Sequence, residues 1–177
     1  FVARSVTFDF KDIKSGAKIK ITGDAYAGNV YLKFPNTTGH SISYATITLP
    51  EAHVELSQGK VDAGKVTTNS TTFVVCPGAT FGTLTVDGGN VVIQTGGSVE
   101  KIKAGEDNED PIVVTLGENV EAPEVEGEGV DLKDVNGDNF VAVGVSQKEG
   151  DDNTYYISNA EGLKWLATTT NDGNTFK

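Results

Sequence analysis

Apolar and polar residues alternate through the middle of the chain in a short block that recurs. The block has the form apolar-x-apolar-x-x-Gly and occupies residues 54–59, 73–78, 91–96 and 112–117. A second apolar element lies between the blocks and begins at Ile47, Val66, Leu84 and Ile102, which are 19, 18 and 18 residues apart. Because two separate elements advance with one period, the pattern indicates a structural repeat rather than chance clustering.

The repeat predicts a right-handed parallel β-helix, or β-solenoid, in an all-β protein. A period of 18–21 residues is too short for a helix with its crossover, but it accommodates two or three short strands joined by bends. Alternation within each strand then predicts two interior ladders and one glycine corner. The first ladder is expected to contain Val54, Phe73, Val91 and Ile112, the second Leu56, Val75, Ile93 and Val114, and the corner Gly59, Gly78, Gly96 and Gly117.

The flanks of the repeat differ from it and divide the chain into three parts. Residues 1–44 alternate as strands and are predicted to form a β-rich N-terminal cap over the open end of the solenoid. Residues 45–136 hold the repeats, and residues 137–177 form a C-terminal element. In that element Ser158 and Glu161 match a helix capping box before Leu163 and Leu166, which predicts a short helix that packs through Trp165.

Composition agrees with strands and sets limits on the chemistry. The chain has 21 Val and 20 Thr against 8 Leu, which favours strands over helices. The single Cys76 excludes an internal disulfide framework and a CxxC metal site. The absence of Met leads us to expect a mature protein that has lost its leader.

The charge balance excludes two classes of partner. The chain carries 14 basic and 25 acidic residues, a net charge of −11, and Arg4 is its one arginine. Little positive charge is available to neutralise phosphates, so no nucleic acid or anionic membrane is expected as a partner. Residues 100–131 contribute −9 of the total. No apolar run approaches the ~20 residues of a membrane helix, so no membrane insertion of this segment is expected.

Three stretches resemble the β-helical repeats of secreted, cell-surface proteins of gut bacteria, which are described as adhesins. Residues 45–57 read ATITLPEAHVELS, residues 72–86 read TFVVCPGATFGTLTV, and residues 89–93 read GNVVI. The tail YYISNAEGLKWLA at 155–167, with NDGNTF at 171–176, resembles the start of a further module in such proteins. The resemblance implies an extracellular location on the bacterial cell surface and a role in adhesion or surface display.

The residues offer little for catalysis. A nucleophile needs a base within reach, and the imidazoles are His40 and His53. Alternation turns His53 away from the core, and Cys76 is expected outside or at the corner, where it packs as a small residue. Polysaccharide lyases built on β-helices place calcium-binding carboxylates and a basic residue on an outward face. Here Arg4 precedes the repeats, and the outward residues form no carboxylate ladder: Glu55, Val74, Val92 and Val113.

Calcium is the best-motivated ion. Asp134, Asn136 and Asp138 supply oxygen ligands at positions 1, 3 and 5 of an EF-hand-like loop. The match fails at position 6, which is Asn139, and at position 12, which is Val145. The alternative interpretation is an Asn-Gly turn in an acidic surface, in which case no cofactor is bound.

A sugar site would combine an aromatic ring with polar groups. The candidate rings are Tyr26, Tyr31, Tyr44, Tyr155, Tyr156 and Trp165. Tyr155 and Tyr156 are adjacent in sequence, so they cannot share one side of a strand. The sequence thus favours a non-catalytic cell-surface module whose partner is an extracellular glycan or a host or bacterial surface protein. The alternatives are a glycan-binding accessory module of a polysaccharide-utilisation system and, less favoured, a β-helical polysaccharide-cleaving enzyme.

Overall fold

The computed structural model describes residues 5–23, 28–106, 108, 111–137, 145–148, 151–158 and 160–171. They form a parallel β-solenoid of about six turns followed by a hairpin and a short helix. In chain order the elements are β1 (Ser5–Asp9), β2 (Lys18–Thr22), β3 (Asn29–Lys33), β4 (Tyr44–Thr48), β5 (His53–Val75), β6 (Ala79–Ile93), β7 (Ser98–Ala104), β8 (Ile112–Leu116), β9 (Glu124–Glu126), β10 (Val130–Lys133), β11 (Val145–Lys148), β12 (Asp151–Ile157) and α1 (Ala160–Asn171).

Each turn of the solenoid, here called a coil, contributes segments to three walls of stacked parallel strands. The first wall contains residues 5–9, 29–33, 53–58, 72–75, 90–93, 112–116 and 130–133. The second wall is shorter. In it Ile42 pairs with Val61, Val61 with Phe81, and Phe81 with Val99. The third wall contains residues 18–22, 44–48, 64–67, 83–88, 101–104 and 124–126. Strands β5 and β6 run through all or most of a coil, so each contributes to more than one wall.

Alternating side chains of these walls fill the interior, as the repeat predicts. Val54, Phe73 and Val91 are each 0% exposed. The Cys76 amide donates to the Leu56 carbonyl in the same way that the Gln94 amide donates to the Val75 carbonyl. Leu56 and Val75 therefore occupy equivalent rungs, and Ile93 follows them in direct register with Val75. The fold class and these parts of both ladders are confirmed.

The last rung of each predicted ladder is wrong by two residues. Val91 pairs with Val114 rather than with Ile112, and Ile93 pairs with Leu116 rather than with Val114. The physical cause is a longer connection after β7, because the step from Ile93 to Leu116 takes 23 residues where the step from Val75 to Ile93 takes 18. The Asn108 side chain fastens this connection to the coil below by donating to the Val86 carbonyl at 2.8 Å. A shift of two residues preserves the alternation, so Ile112, Val114 and Leu116 all remain buried.

The predicted glycine corner is confirmed only in part, since the Gly78 amide donates to the Gly96 carbonyl, whereas Gly59 pairs with Ala79, one residue past Gly78. Gly59, Gly78 and Gly96 have φ angles of 92°, 79° and 85°, which only glycine adopts without strain. Gly117 is not in this left-handed set and lies one residue past Leu116, against the backbone of Thr95. A Cβ at Gly117 would lie 2.5 Å from the Thr95 nitrogen. Gly117 is therefore required for close approach of two coils rather than for the corner.

The N-terminal segment closes its end of the solenoid as a further coil of the same stack. β1 pairs with β3 and β2 pairs with β4, both in parallel and in continuous register. Phe10 stacks on Phe34 of the next coil with 5.1 Å between ring centroids. Phe8 points inward but is 37% exposed, because a terminal coil is covered from one side only.

The C-terminal element combines an antiparallel hairpin with the predicted helix. β11 pairs with β12, and α1 follows directly. Trp165 is 3% exposed and Tyr155 lies against it, with 5.1 Å between ring centroids, so the predicted packing role of Trp165 is confirmed. Leu163, in contrast, is 60% exposed. None of the helices in the described ranges is both long and apolar enough to cross a bilayer.

Candidate functional site

A groove of about 680 Å³ lies between the last coils of the solenoid and helix α1. Strands β7 and β9, the connection before β9, and α1 form its sides. Its lining residues are Ser98, Val99, Glu100, Glu121, Ala122, Pro123, Glu124, Val125, Lys164, Trp165 and Ala167. Val99, Pro123 and Trp165 are buried and form an apolar base, while the three glutamates are exposed. An apolar base with a few polar groups around it is the common form of a ligand site.

The groove exists because α1 is held against the solenoid at two points. The Lys164 ammonium lies 3.0 Å from the Glu121 carboxylate, and the buried Trp165 lines the groove together with Val99 and Pro123 of the solenoid. The ion pair is exposed on both sides, so its contribution to stability is small and screened by salt. The buried indole ring of Trp165 therefore contributes more than the ion pair to the position of the helix.

The charges around the groove are only partly neutralised. The Lys101 ammonium contacts Glu124 at 2.9 Å and Glu126 at 3.3 Å, and Lys103 contacts Glu126 at 2.6 Å. Hydrogen bonds to Glu124 and then Glu126 raise the pKa of Lys101, and hydrogen bonds from Lys103 and then Lys101 lower the pKa of Glu126. Glu100 has no such partner among the described residues. The rim of the groove is therefore negative.

Two of the sequence candidates for catalysis meet on the first wall. The His53 ring nitrogen Nε2 lies 2.9 Å from Glu55 Oε1, and the Cys76 thiol donates to Glu55 Oε2 at 3.7 Å. His53 and Cys76 face outward, as predicted, with the His53 side chain 35% exposed. Glu55 contacts His53 along their common strand, and it contacts Cys76, 21 positions away, because coils stack, which alternation alone does not reveal.

This cluster weakens the thiol as a nucleophile. Burial and the nearby Glu55 carboxylate raise the pKa of Cys76 to about 11. The thiolate, not the thiol, is the nucleophilic form, and reactive cysteines lie in positive surroundings. The arrangement of Glu55 between His53 and Cys76 therefore keeps the thiol protonated at physiological pH.

His40 has a structural position between the first two coils. Its Nε2 atom lies 2.9 Å from the Ile13 carbonyl oxygen, and its Nδ1 atom is buried without a partner among the described residues. A hydrogen bond to a carbonyl oxygen requires the proton on Nε2. His40 thus ties the turn before β2 to the turn before β4.

The calcium candidate is only partly within the described residues. Asp134 Oδ1 accepts from the Asn136 backbone amide at 2.8 Å and Oδ2 accepts from its side-chain amide at 3.3 Å. Gly137 follows with a φ angle of 84°. These contacts form an Asx turn that engages both carboxylate oxygens of Asp134. Asp138 lies outside the described residues, among which no group of three or more acidic, His or Cys side chains is arranged to hold a metal ion.

The remaining candidates differ in exposure. Tyr44 is 39% exposed and Tyr156 is 58% exposed, whereas Tyr31 and Tyr155 are half-buried. Tyr155 faces Trp165 and its neighbour Tyr156 faces away, as their adjacency predicts. Arg4 and Tyr26 lie outside the described residues.

The outward row of the first wall differs from the expected one at two positions. Val74 was expected on the surface but is 4% exposed. Val92 pairs with Thr115 instead of Val113, because of the two-residue shift after β7.

Comparison with protein-family models, with curated proteins and with solved structures gives no match to this chain.

Proposed function

We propose that the chain is a non-catalytic module of a bacterial cell surface, where it serves adhesion or surface display. The groove beside α1 carries the proposal. Its volume of about 680 Å³ and its base of Val99, Pro123 and Trp165 suit a bound group, and its glutamate rim supplies polar contacts. On its solenoid side the groove is lined by β7 and β9, which are paired in register.

The surroundings of Cys76 argue against this thiol as a catalytic nucleophile. A protonated thiol beside a carboxylate cannot attack an electrophile as a thiolate would. The partner proposed for the groove is a host or bacterial surface protein or an extracellular glycan. Fold alone does not decide between these partners, so the test has to use a surface that carries both.

Retention of protein-coated beads on a mucin-coated surface tests the proposal. Ser98→Trp fills the groove from an exposed position on β7, and Thr38→Trp adds the same ring to an exposed loop of the second coil as a matched control. Beads that carry the wild-type chain or Thr38→Trp are expected to be retained, and beads that carry Ser98→Trp are expected to be lost several-fold more readily. Equal retention of all three, or no retention of the wild type, contradicts the proposal.

A glycan-binding accessory module of a polysaccharide-utilisation system is the second candidate. The exposed Tyr44 favours it, because this ring lies among lysines and threonines on the third wall. An array of soluble polysaccharides separates the two candidates. An accessory module binds free polysaccharide in solution, whereas an adhesion module can depend on the mucin-coated surface alone.

A further inference from the structure

The outward side of the third wall carries a regular array on the first three coils. The rows of that array run across the coils in register: Lys18, Tyr44 and Ala63, then Lys20, Thr46 and Lys65, then Thr22, Thr48 and Thr67. These nine residues are here called the lysine–threonine face. Neighbouring rows are two residues apart along each strand, so all nine side chains leave the same side of the sheet.

Tyr44 is the aromatic group of this face and is partly open to solvent. Its ring is 39% exposed, although it lies in the middle of three stacked coils. One neighbour in its row is Lys18 and the other is Ala63, whose single methyl group cannot cover a phenol ring. A flat, partly apolar ring beside a small side chain is suited to pack against the apolar side of a sugar ring.

Lys18 and Lys20 supply positive charge that forms no ion pair within the described part of the chain. Both are exposed, and no carboxylate of the described residues forms an ion pair with either of them. Lys65 differs, since its ammonium lies 2.5 Å from the Asp87 carboxylate. Lys101 and Lys103, further along the same wall, are paired with Glu124 and Glu126. Free cations are therefore concentrated at the N-terminal end of this wall.

The charge along the chain reinforces this asymmetry. Residues 1–65 carry a net charge of +2, although the whole chain carries −11. A polyanion is therefore attracted to the first coils and repelled by the acidic coils that follow residue 100. The attraction is directional along the solenoid.

We infer that the lysine–threonine face binds an acidic polysaccharide, whose carboxylates contact Lys18 and Lys20 while one of its sugar rings packs on Tyr44. The inference rests on the second candidate, a glycan-binding role, and adds to it a surface and a ligand class. Thr22, Thr46 and Thr48 offer hydroxyl groups that both donate to and accept from sugar hydroxyls. Poly-glutamate has carboxylates but neither a sugar ring to pack on Tyr44 nor hydroxyl groups to match the threonines, and two free lysines are too few to neutralise a nucleic acid.

Isothermal titration of the whole chain with polygalacturonate tests the inference. Neutral dextran and poly-glutamate are the comparison ligands. Polygalacturonate is expected to bind, with affinity that falls about tenfold between about 50 mM and 200 mM NaCl, because charge pairs are screened. The double variant Lys18→Gln/Lys20→Gln and the single variant Tyr44→Ser are each expected to weaken binding at least about tenfold, which is about 1.4 kcal/mol.

Matched controls separate this face from general charge and aromaticity. Lys33→Gln removes an exposed lysine from the first wall, and Tyr156→Ser removes an exposed ring from the hairpin. Both are expected to bind like the wild type. Because every substituted side chain is exposed, thermal melts should show that all the variants remain folded.

Several results overturn the inference. Equal binding of poly-glutamate or dextran, undiminished binding by the lysine or tyrosine variants, or no binding of polygalacturonate would each do so. If beads are still retained on mucin through the groove while polygalacturonate does not bind, the inference fails and the adhesion proposal stands. If Ser98→Trp changes nothing while the lysine–threonine face binds as expected, the groove fails and this face stands.

Discussion

The Cys76 thiol lies 3.7 Å from the Oε2 atom of Glu55 on the neighbouring coil. The contact joins two residues 21 positions apart and is a direct product of stacking. Glu55 Oε1 also lies 2.9 Å from His53 Nε2, so one carboxylate contacts both His53 and Cys76. Because a carboxylate disfavours a neighbouring thiolate, the contact sets the chemistry of the single cysteine.

The first prediction concerns the reactivity of that thiol. With a pKa raised to about 11, alkylation of folded Cys76 by iodoacetamide at pH 8 should be at least about tenfold slower than in the denatured chain. Glu55→Gln should accelerate alkylation several-fold, since it removes the charge that disfavours the thiolate. Glu51→Gln, an exposed residue before β5, is the control. A fast wild-type thiol, or no effect of Glu55→Gln, would contradict the proposed surroundings of Cys76.

The same shift predicts how stability depends on pH. The folded pKa lies above the ordinary value of 9.0, so the folded state binds the thiol proton more tightly than the unfolded state does. The stabilising effect of that proton is complete below about pH 9 and is lost as the pH rises towards about 11. Denaturation of the wild type and Cys76→Ser across this window should show a steeper loss of stability for the wild type.

The second prediction concerns the interior ladders. Ile93 is 0% exposed and stacked on Val75, so Ile93→Ala leaves a cavity that neighbouring coils cannot close without disturbing their own rungs. We expect a loss of about 2–5 kcal/mol in the free energy of unfolding. Gln94→Ala, at the exposed next position, should change it by less than about 0.5 kcal/mol. Urea denaturation measures both, and similar losses would refute the assignment of inner and outer positions.

The third prediction compares two glycines with different roles. A Cβ at Gly82 would collide with the Asp62 carbonyl of the coil below, whereas Gly16 has open space and a φ angle of 79°. Gly16→Ala should cost about 1–2 kcal/mol from the left-handed conformation alone. Gly82→Ala should cost more, because backbone atoms of two coils must separate. Thermal melts would contradict this account if Gly16→Ala were the more damaging change.

The fourth prediction concerns ions. Residues 100–131 hold a net charge of −9 on stacked coils, so added salt should stabilise the protein by screening repulsion within about 8 Å. Calcium and magnesium at matched ionic strength should act equally, because Val145 stands where an EF-hand loop has its bidentate Glu. A calcium-selective rise in melting temperature that Asp134→Ala abolishes would instead favour the EF-hand-like site.

The solenoid could be predicted from the sequence because apolar residues and glycines recur in it at regular spacing. Val54, Phe73 and Val91 recur with glycines that take the left-handed conformation at one corner. Gly117 misled the prediction, because it fits the repeat by spacing but serves the close approach to Thr95. Alternation repeats every two residues, so hydrophobicity alone cannot distinguish a register from one shifted by two.

The candidate surfaces were harder to foresee. Lys18, Tyr44 and Ala63 become neighbours through register, and their spacings of 26 and 19 residues differ from each other and fit no local motif. The groove depends on where Trp165 packs and therefore on where α1 lies. The spacing of apolar residues in a helix predicts that one face is buried, but it does not predict which surface that face contacts. The polar cluster around Glu55 arises from the same cause, since stacking brings distant outward residues together.

The central claim is the stack itself, since the groove and the lysine–threonine face both depend on its register. Disulfide formation between two introduced cysteines tests the register most directly, in a chain that also carries Cys76→Ser. Val92 and Thr115 are register partners on the outer side of the first wall, where Cα atoms of neighbouring strands lie about 4.8 Å apart, within disulfide range. Val113 is two residues away from that position, at about 8 Å. We predict that Val92→Cys with Thr115→Cys forms a disulfide in the folded protein and that Val92→Cys with Val113→Cys does not. Efficient crosslinking of the second pair, or of neither, would contradict the account.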